Sequence, residues 1–450
     1  LALPLLLVPS IGCAAEAAGV SASGGAPACN FFVAPTGSDR NNGMTATAPF
    51  ATLEKAQGAA RRAGRKVVCL RAGVYDRRDR LTLTAADDGE TWRYYPPDGV
   101  NSAVLEGGNR VDWMIDIKGG SDITINGLKL QHFTTYGIIV EGGGKNGTAA
   151  GNTVENCDSG FNTVSNWNSG GIYFWGDAPR STIRHNYVHD VGSMGIGLNP
   201  YDARESIDGS VIAGNVVLRA AQRVSDSGAI YVSGHGGTQT SRVSVAGNFV
   251  RDYGAPRVTK VNGIYLDDNA SNVTVVGNIV GPAAPGTGHS ATGIFLHNGH
   301  DNHVGGNIVD LGTSAGQYTV QWGHDHASIA GMGGNSFTGN IIISDFAGKQ
   351  NTIGFMNGYS YIQSPGTPAS WYSIRNNVYH NRAGGQVRTD GPVAGDNNPI
   401  FENPQISGGT YAIAGGSRVF ASPVNFPPIA GGWGPPGFVI PPSGTPSSSR

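Results

Sequence analysis

A repeat that leaves no room for helices limits this chain more than any other feature. An asparagine followed by an apolar or β-branched pair recurs at Asn126, Asn152, Asn186, Asn215, Asn248, Asn278, Asn307, Asn340 and Asn377, and from Asn152 the intervals are 34, 29, 33, 30, 29, 33 and 37 residues. A second series runs in step: Gly137-Ile138, Gly171-Ile172, Gly195-Ile196, Gly228-Ala229-Ile230, Gly263-Ile264 and Gly293-Ile294. Each unit accommodates two or three short alternating strands. Sandwiches and propellers also use short strands, but they rarely carry one signature at the same phase in every unit. A right-handed parallel β-helix does. Its rungs stack about 4.8 Å apart, inward Ile, Val and Leu form a continuous core, and turn asparagines build amide ladders along the axis. The asparagines are therefore read as structural.

A solenoid must cover its ends, where core and strand edges would otherwise lie bare. The stretch from Thr47 to Arg65 predicts an amphipathic helix, with Phe50, Leu53, Ala56 and Ala60 on one face, capping the N-terminal end. Asn398-Pro399-Ile400-Phe401 leads into the closure of the last rung, and residues 431–450 read as a Pro/Gly/Ser-rich tail behind a single domain spanning 26–430. The 70 glycines and 25 prolines fit a fold made of turns, and the 39% of hydrophobic residues suffices for a long core. A formal net charge of -2 with no Lys/Arg run gives no footprint for nucleic acid or an anionic membrane.

Residues 1–25, beginning LALPLLLVPSIGC, read as a signal peptide, too short to span a bilayer. The expectation is a secreted or periplasmic protein, or an outer-membrane lipoprotein: Ser10-Ile11-Gly12-Cys13 resembles a lipobox, with cleavage after Ala15 or Ala17 as the alternative. No transmembrane segment is expected. Cys29 and Cys69 flank or enter predicted strands, so either they pair as a disulfide in an oxidising compartment or Cys69 is a small buried hydrophobe. Cys157 has no obvious mate, and nothing has metal-finger spacing.

Polar residues at outward strand positions line the lateral grooves of a β-helix. Aligning Ile230-Tyr231, Ile264-Tyr265 and Ile294-Phe295 puts Ser233, Asp267 and His297 in one column, with Asp268 beside Asn298 and Asp226 just ahead of its strand. Paired carboxylates suit glycoside hydrolysis, one donating a proton to the leaving oxygen and the other acting as nucleophile or activating water. Tyr231, Tyr265, Trp175 and Trp322 are candidate stacking surfaces for sugars. The structural alternative is that Asp226 and Asp268 are turn residues.

At these residues the chain resembles a known group. FFVAPTGSDRNNGMTATAPFATLEKAQGAAR and VVCLRAGVY in residues 31–75 are similar to the opening of many secreted β-helical carbohydrate-active proteins. DSGAIY, GIYLDD and HNGHDNHVGGNIVD in residues 226–310 resemble the central motifs of glycoside hydrolase family 141, known for α-L-fucosidase and xylanase activities. The resemblance implies Asp226 and Asp267 as the catalytic carboxylates, and covers about a third of the chain. It departs at Gly234-His235-Gly236, where relatives commonly carry Gly-Arg-Asp. Asp268, Tyr231, His235, Tyr265, His297 and Asn298 complete the expected substrate-binding set.

Counted along straight strands, Asp226 and Asp267 stand about 20 Å apart, beyond the roughly 5–9.5 Å of a catalytic pair. Either a corner after Ser225-Asp226-Ser227 folds the first acid back, or Asp267 works with Asp177 or Asp202. His235, His297, His300 and His303 lack helical metal-site spacing, so no metal and no cofactor is expected. The expected partner of this monomer is a polysaccharide or oligosaccharide. The alternatives are a lyase or epimerase acting on uronates, using Arg223, Arg257 or Lys260, and a non-catalytic glycan-binding scaffold.

Overall fold

The computed structural model describes residues 28–64, 66–163, 166–167, 169–234, 242–287, 291–313, 318–323, 333–351, 353–356, 372–388, 396–407, 409–429 and 431–444. The chain is a right-handed parallel β-helix. Each coil visits three sheets in turn, as in Tyr136–Glu141, then Thr153–Glu155, then Asp158–Gly160, before Gly170–Trp175 begins the next. Among the described residues sheet 1 has ten strands, from Leu81–Thr84 to Ile353–Met356, sheet 2 has twelve, from Gly73–Asp76 to Ile400–Phe401, and sheet 3 has twelve, from Phe31–Val33 to Tyr372–Arg375. Neighbouring strands pair in parallel and in register, so like residues stack on like. In sheet 3 the middle residue of each short strand points inward. Ile125, Val154, Ile183, Ile212, Val245 and Val275 thereby form one fully buried column of the core.

The asparagine repeat has a two-part cause. Between sheets 3 and 2 the chain bends at one left-handed residue, Gly214, Gly247 or Gly277 in successive rungs, where glycine carries no Cβ penalty. The next residue turns inward, and its amide joins a ladder: Asn186, Asn215, Asn248, Asn278, Asn307, Asn340 and Asn377 each pass Nδ2 to the Oδ1 of the next, at 2.9–3.0 Å up to Asn377. The ladder ends on Asp396, which accepts from Asn377 Nδ2 at 2.8 Å. Two expected members lie off it. Leu128 and Cys157 hold the ladder position on the first rungs, one residue after the left-handed Gly127 and Asn156. Asn126 instead bonds Glu155, and Asn152 ties the Gly120 and Ala149 carbonyls.

The N-terminal cap is the α-helix Leu53–Ala63, shorter than the stretch from Thr47 to Arg65. Asp39 explains the late start: it accepts from the amides of Ala51 and Thr52, and Thr52 is the N-cap. Leu53, Ala56 and Ala60 are buried against the first coil, and Phe50 is buried just ahead of the helix. Cys29 and Cys69 form a disulfide, while Cys157 is a buried thiol. At the far end Ile400–Phe401 pairs with Val378–Asn381. Residues 411–429 and 431–443, including much of the stretch read as a tail, lie along the outside of sheet 2. There Tyr411, Val419, Phe426, Trp433, Phe438 and Ile440 cover the outward Val216, Phe249, Ile279, Ile308 and Ile341. Arg251 donates to the Pro441 carbonyl and Ser443 to Asp252. The leader residues 1–25, with Cys13, lie outside the described residues. No helix among the described residues is long and apolar enough to cross a membrane.

Candidate active site

The outward face of sheet 1 gathers the predicted acids. Strands Ser227–Ser233 and Val261–Asp267 pair from Ser227 with Val261 to Ser233 with Asp267, which sets Tyr231 against Tyr265. Asp226 precedes the first strand in a left-handed turn, φ 57°, a conformation Asp tolerates better than most residues. That corner folds its carboxyl back over the sheet, and the Tyr265 hydroxyl donates to Asp226 Oδ1 at 3.1 Å. The same hydroxyl also interacts with the Asp267 carboxylate. The Asp267 charge acts both on this phenol and on Asp226, so the two acids lie on one patch of the sheet. The straight-strand separation is thus removed by the turn at Asp226 and the reach of Tyr265.

The two acids have different surroundings. Burial pushes the Asp226 pKa up, the charge of Asp267 pushes it further, and the Tyr265 hydrogen bond, Lys260 and His297 pull it partly back. Asp267 accepts from three donors: Tyr231 Oη at 2.9 Å, the Asp268 amide at 2.9 Å, and His297 Nδ1 at 2.6 Å, where the ring is the proton donor. Burial and the Asp267 charge hold the Tyr231 and Tyr265 phenols well above their ordinary range, so both remain donors. Tyr265 stacks on Phe295 at 4.9 Å, and Phe295 on His297 at 5.6 Å, which fixes the imidazole toward Asp267.

Asp268 follows in a left-handed turn, as does Asn298 after its own strand. Asp267, Asp268 and His297 each offer a ligand atom within 4.8 Å of the others, so this group could hold a cation. The two fallback acids have partners of their own: Asp177 accepts from the Ser206 amide and the Thr148 hydroxyl, and Asp202 pairs with Arg204. Arg223 turns away, donating to the Asn162 Oδ1 at 2.8 Å. His235 and the side chain of Trp322 lie outside the described residues.

Sequence reasoning missed two groups on this face. Tyr173 occupies the Tyr231 column and takes a hydrogen bond from Asn199 Nδ2 at 3.0 Å. Its ring lies over Gly197, where any Cβ would meet it at 2.3 Å. The second group is Asp116 with Glu141, near the N-terminal end of the sheet. Asp116 is 1% exposed, and burial together with Glu141 raises its pKa to about 6. The signal for both was register: Asp116 is two residues from Lys118, whose column continues through Glu141 to Trp175.

A family described as "Right handed beta helix region" matches residues 113–309. No curated protein matches this chain in sequence. Among solved structures, one described as a glycoside hydrolase superposes with a TM-score of 0.53 at 10% identity, covering 84% of this chain and 96% of that one. A lacto-N-biosidase of glycoside hydrolase family 136 from Eubacterium ramulus gives 0.50 at 13% identity, covering 83% and 67%. The mannuronan C-5 epimerase A-module of Azotobacter vinelandii gives 0.49 at 17% identity, covering 77% and 94%. At these identities the likeness is one of fold.

Proposed function

We propose that this protein is a glycoside hydrolase acting on a neutral polysaccharide or oligosaccharide, of the fucosylated or xylan type, from plant or bacterial sources. The observation that carries this reading is the pair of acids around Tyr265: Asp226, whose raised pKa keeps a proton available, and Asp267, an acceptor held by three donors. Asp226 donates to the departing glycosidic oxygen, and Asp267 attacks the anomeric carbon or activates the water that does. The raised pKa of Asp226 gives it the acid's role and leaves Asp267 that of nucleophile or base. The two hydrolases of like fold are in keeping with this chemistry on such a scaffold. We place the protein outside the cytoplasm, acting as a monomer; the Cys29–Cys69 disulfide suits an oxidising compartment.

One observation favours a second reading. A cation on Asp267, Asp268 and His297 would neutralise a sugar carboxylate, as a uronate lyase or epimerase requires. The test is to incubate the protein, with and without a chelator, on fucosylated, xylan-type and uronate-rich glycans while following reducing ends and unsaturated-uronate absorbance. Reducing ends without unsaturation, unaffected by chelation, are expected. Unsaturated products, lost with the chelator, would replace the hydrolase by the lyase.

A further inference from the structure

One outward column of sheet 1 runs along the solenoid axis through Lys118, Glu141, Trp175, Asn199, Ser233 and Asp267. Lys118 pairs with Glu141, Glu141 with Trp175, Trp175 with Asn199, and Ser233 with Asp267, while the Leu198–Val232 pairing sets Asn199 beside Ser233. Trp175 is therefore three rungs from Asp267, about 14 Å. Each rung advances by close to the length of one sugar ring in an extended chain.

The Trp175 end has the makings of a sugar site. Trp175 is half-buried, and its ring faces that of Tyr201 at 6.0 Å with 37° between planes. Tyr201 is 60% exposed, yet its loop is pinned, because Glu205 Oε2 accepts from the Tyr201 amide at 2.6 Å and from the Asp202 amide at 3.2 Å. A large aromatic held in the open beside a second one is a platform for an apolar ring face. Polar groups flank it on both sides. Asn199 Oδ1 has no hydrogen-bond donor, while Glu141 stands 3.7 Å from the Lys118 ammonium and shares a hydrogen bond with Asp116. Beneath them the buried Tyr136 hydroxyl also has no partner. The Asn199 carbonyl oxygen calls for a hydroxyl donor, which a sugar supplies. A metal fits poorly, since Lys118 and Arg80 already stand 3.7 Å from Glu141 and Asp116.

We propose that Trp175, Tyr201, Glu141 and Asn199 form a distal binding subsite for a neutral pyranose ring, three rungs from the reacting linkage. The protein then grips an extended chain of four or more sugars laid along the solenoid axis. The reacting position rests on the reading of Asp226 and Asp267 above; the subsite itself does not. Affinity electrophoresis in gels containing arabinoxylan or fucosylated xyloglucan tests it, using the wild type, Asp226→Asn and the double variant Trp175→Ala/Tyr201→Ala. Wild type and Asp226→Asn should be retarded equally in at least one gel, and the double variant at least tenfold less. Oligosaccharides of that glycan should lose the effect of the double variant below four sugars. Retardation in neither gel, equal retardation of the double variant, or an effect independent of chain length overturns the subsite. Retardation dependent on Trp175 and Tyr201 without any turnover would leave the subsite standing and remove only the hydrolase. Thermal unfolding of the double variant within a few degrees of wild type separates lost binding from lost folding.

Discussion

Ionising Asp226 in the folded protein is opposed by its burial and by Asp267. Its folded pKa lies above the unfolded 3.8, so its contribution to stability is fully present below that pH and is lost as pH rises through the folded pKa. Asn is neutral throughout. Asp226→Asn is expected to melt above wild type at pH 7, with the gap closing as pH falls toward 3.8; equal melting temperatures at pH 7 would contradict the assigned environment. Tyr265→Phe removes a hydrogen bond that lowers the Asp226 pKa. The acid then keeps its proton to higher pH, and the alkaline limb of the kcat/KM profile should move upward, which a rate series across that limb would measure. Asp226, Asp267, Tyr231, Tyr265 and His297 were all legible as residues. Their meeting was not, because it depends on one positive φ at Asp226 and on how far Tyr265 reaches, and neither leaves a mark in residue type. Asp116 went unread for the opposite reason: an acid at an outward position reads as solvated, and only its register beside the Lys118–Glu141 column marks it, whereas here it is buried beneath its neighbours.

At the scale of a rung, the ladder amide does four things at once. Asn248 accepts from the Asn215 amide and from Asn215 Nδ2, and donates to the Ile212 carbonyl and to Asn278 Oδ1. Replacing it with Ala strands buried partners on both neighbouring coils, and should cost roughly 2–4 kcal/mol, measurable by urea unfolding; a loss below about 0.5 kcal/mol would mean that the ladder is not a stabilising element. The repeat was readable because bend and ladder use adjacent residues, which stamps the same pair on each coil. It was misread at Asn126 and Asn152, where Leu128 and Cys157 fill the ladder position and the nearby asparagines serve turns instead. The helix was readable from its apolar spacing. Its start was not, since it is set by Asp39 thirteen residues before Thr52.

The whole molecule is a stack whose open flank is sheathed by its own C-terminal segment. Pro and Gly gave residues 411–443 no period to read, although Trp433, Phe438 and Ile440 are the anchors. Ending the chain at residue 410 would bare the outward column from Val216 to Ile341, an apolar patch of the kind that drives association. Size-exclusion chromatography should then find oligomers or aggregates; a monodisperse truncated chain with unchanged melting would contradict the sheath. Stacking also brings acids from two successive coils together around Tyr265. The most direct measurement of that pairing is the turnover of Asp226→Asn and Asp267→Asn on whichever glycan the wild type cleaves, with affinity followed in parallel. A fall in kcat of about a thousandfold or more is expected for each, with binding within a fewfold of wild type. Either variant retaining kcat within tenfold of wild type would contradict a catalytic role for the pair.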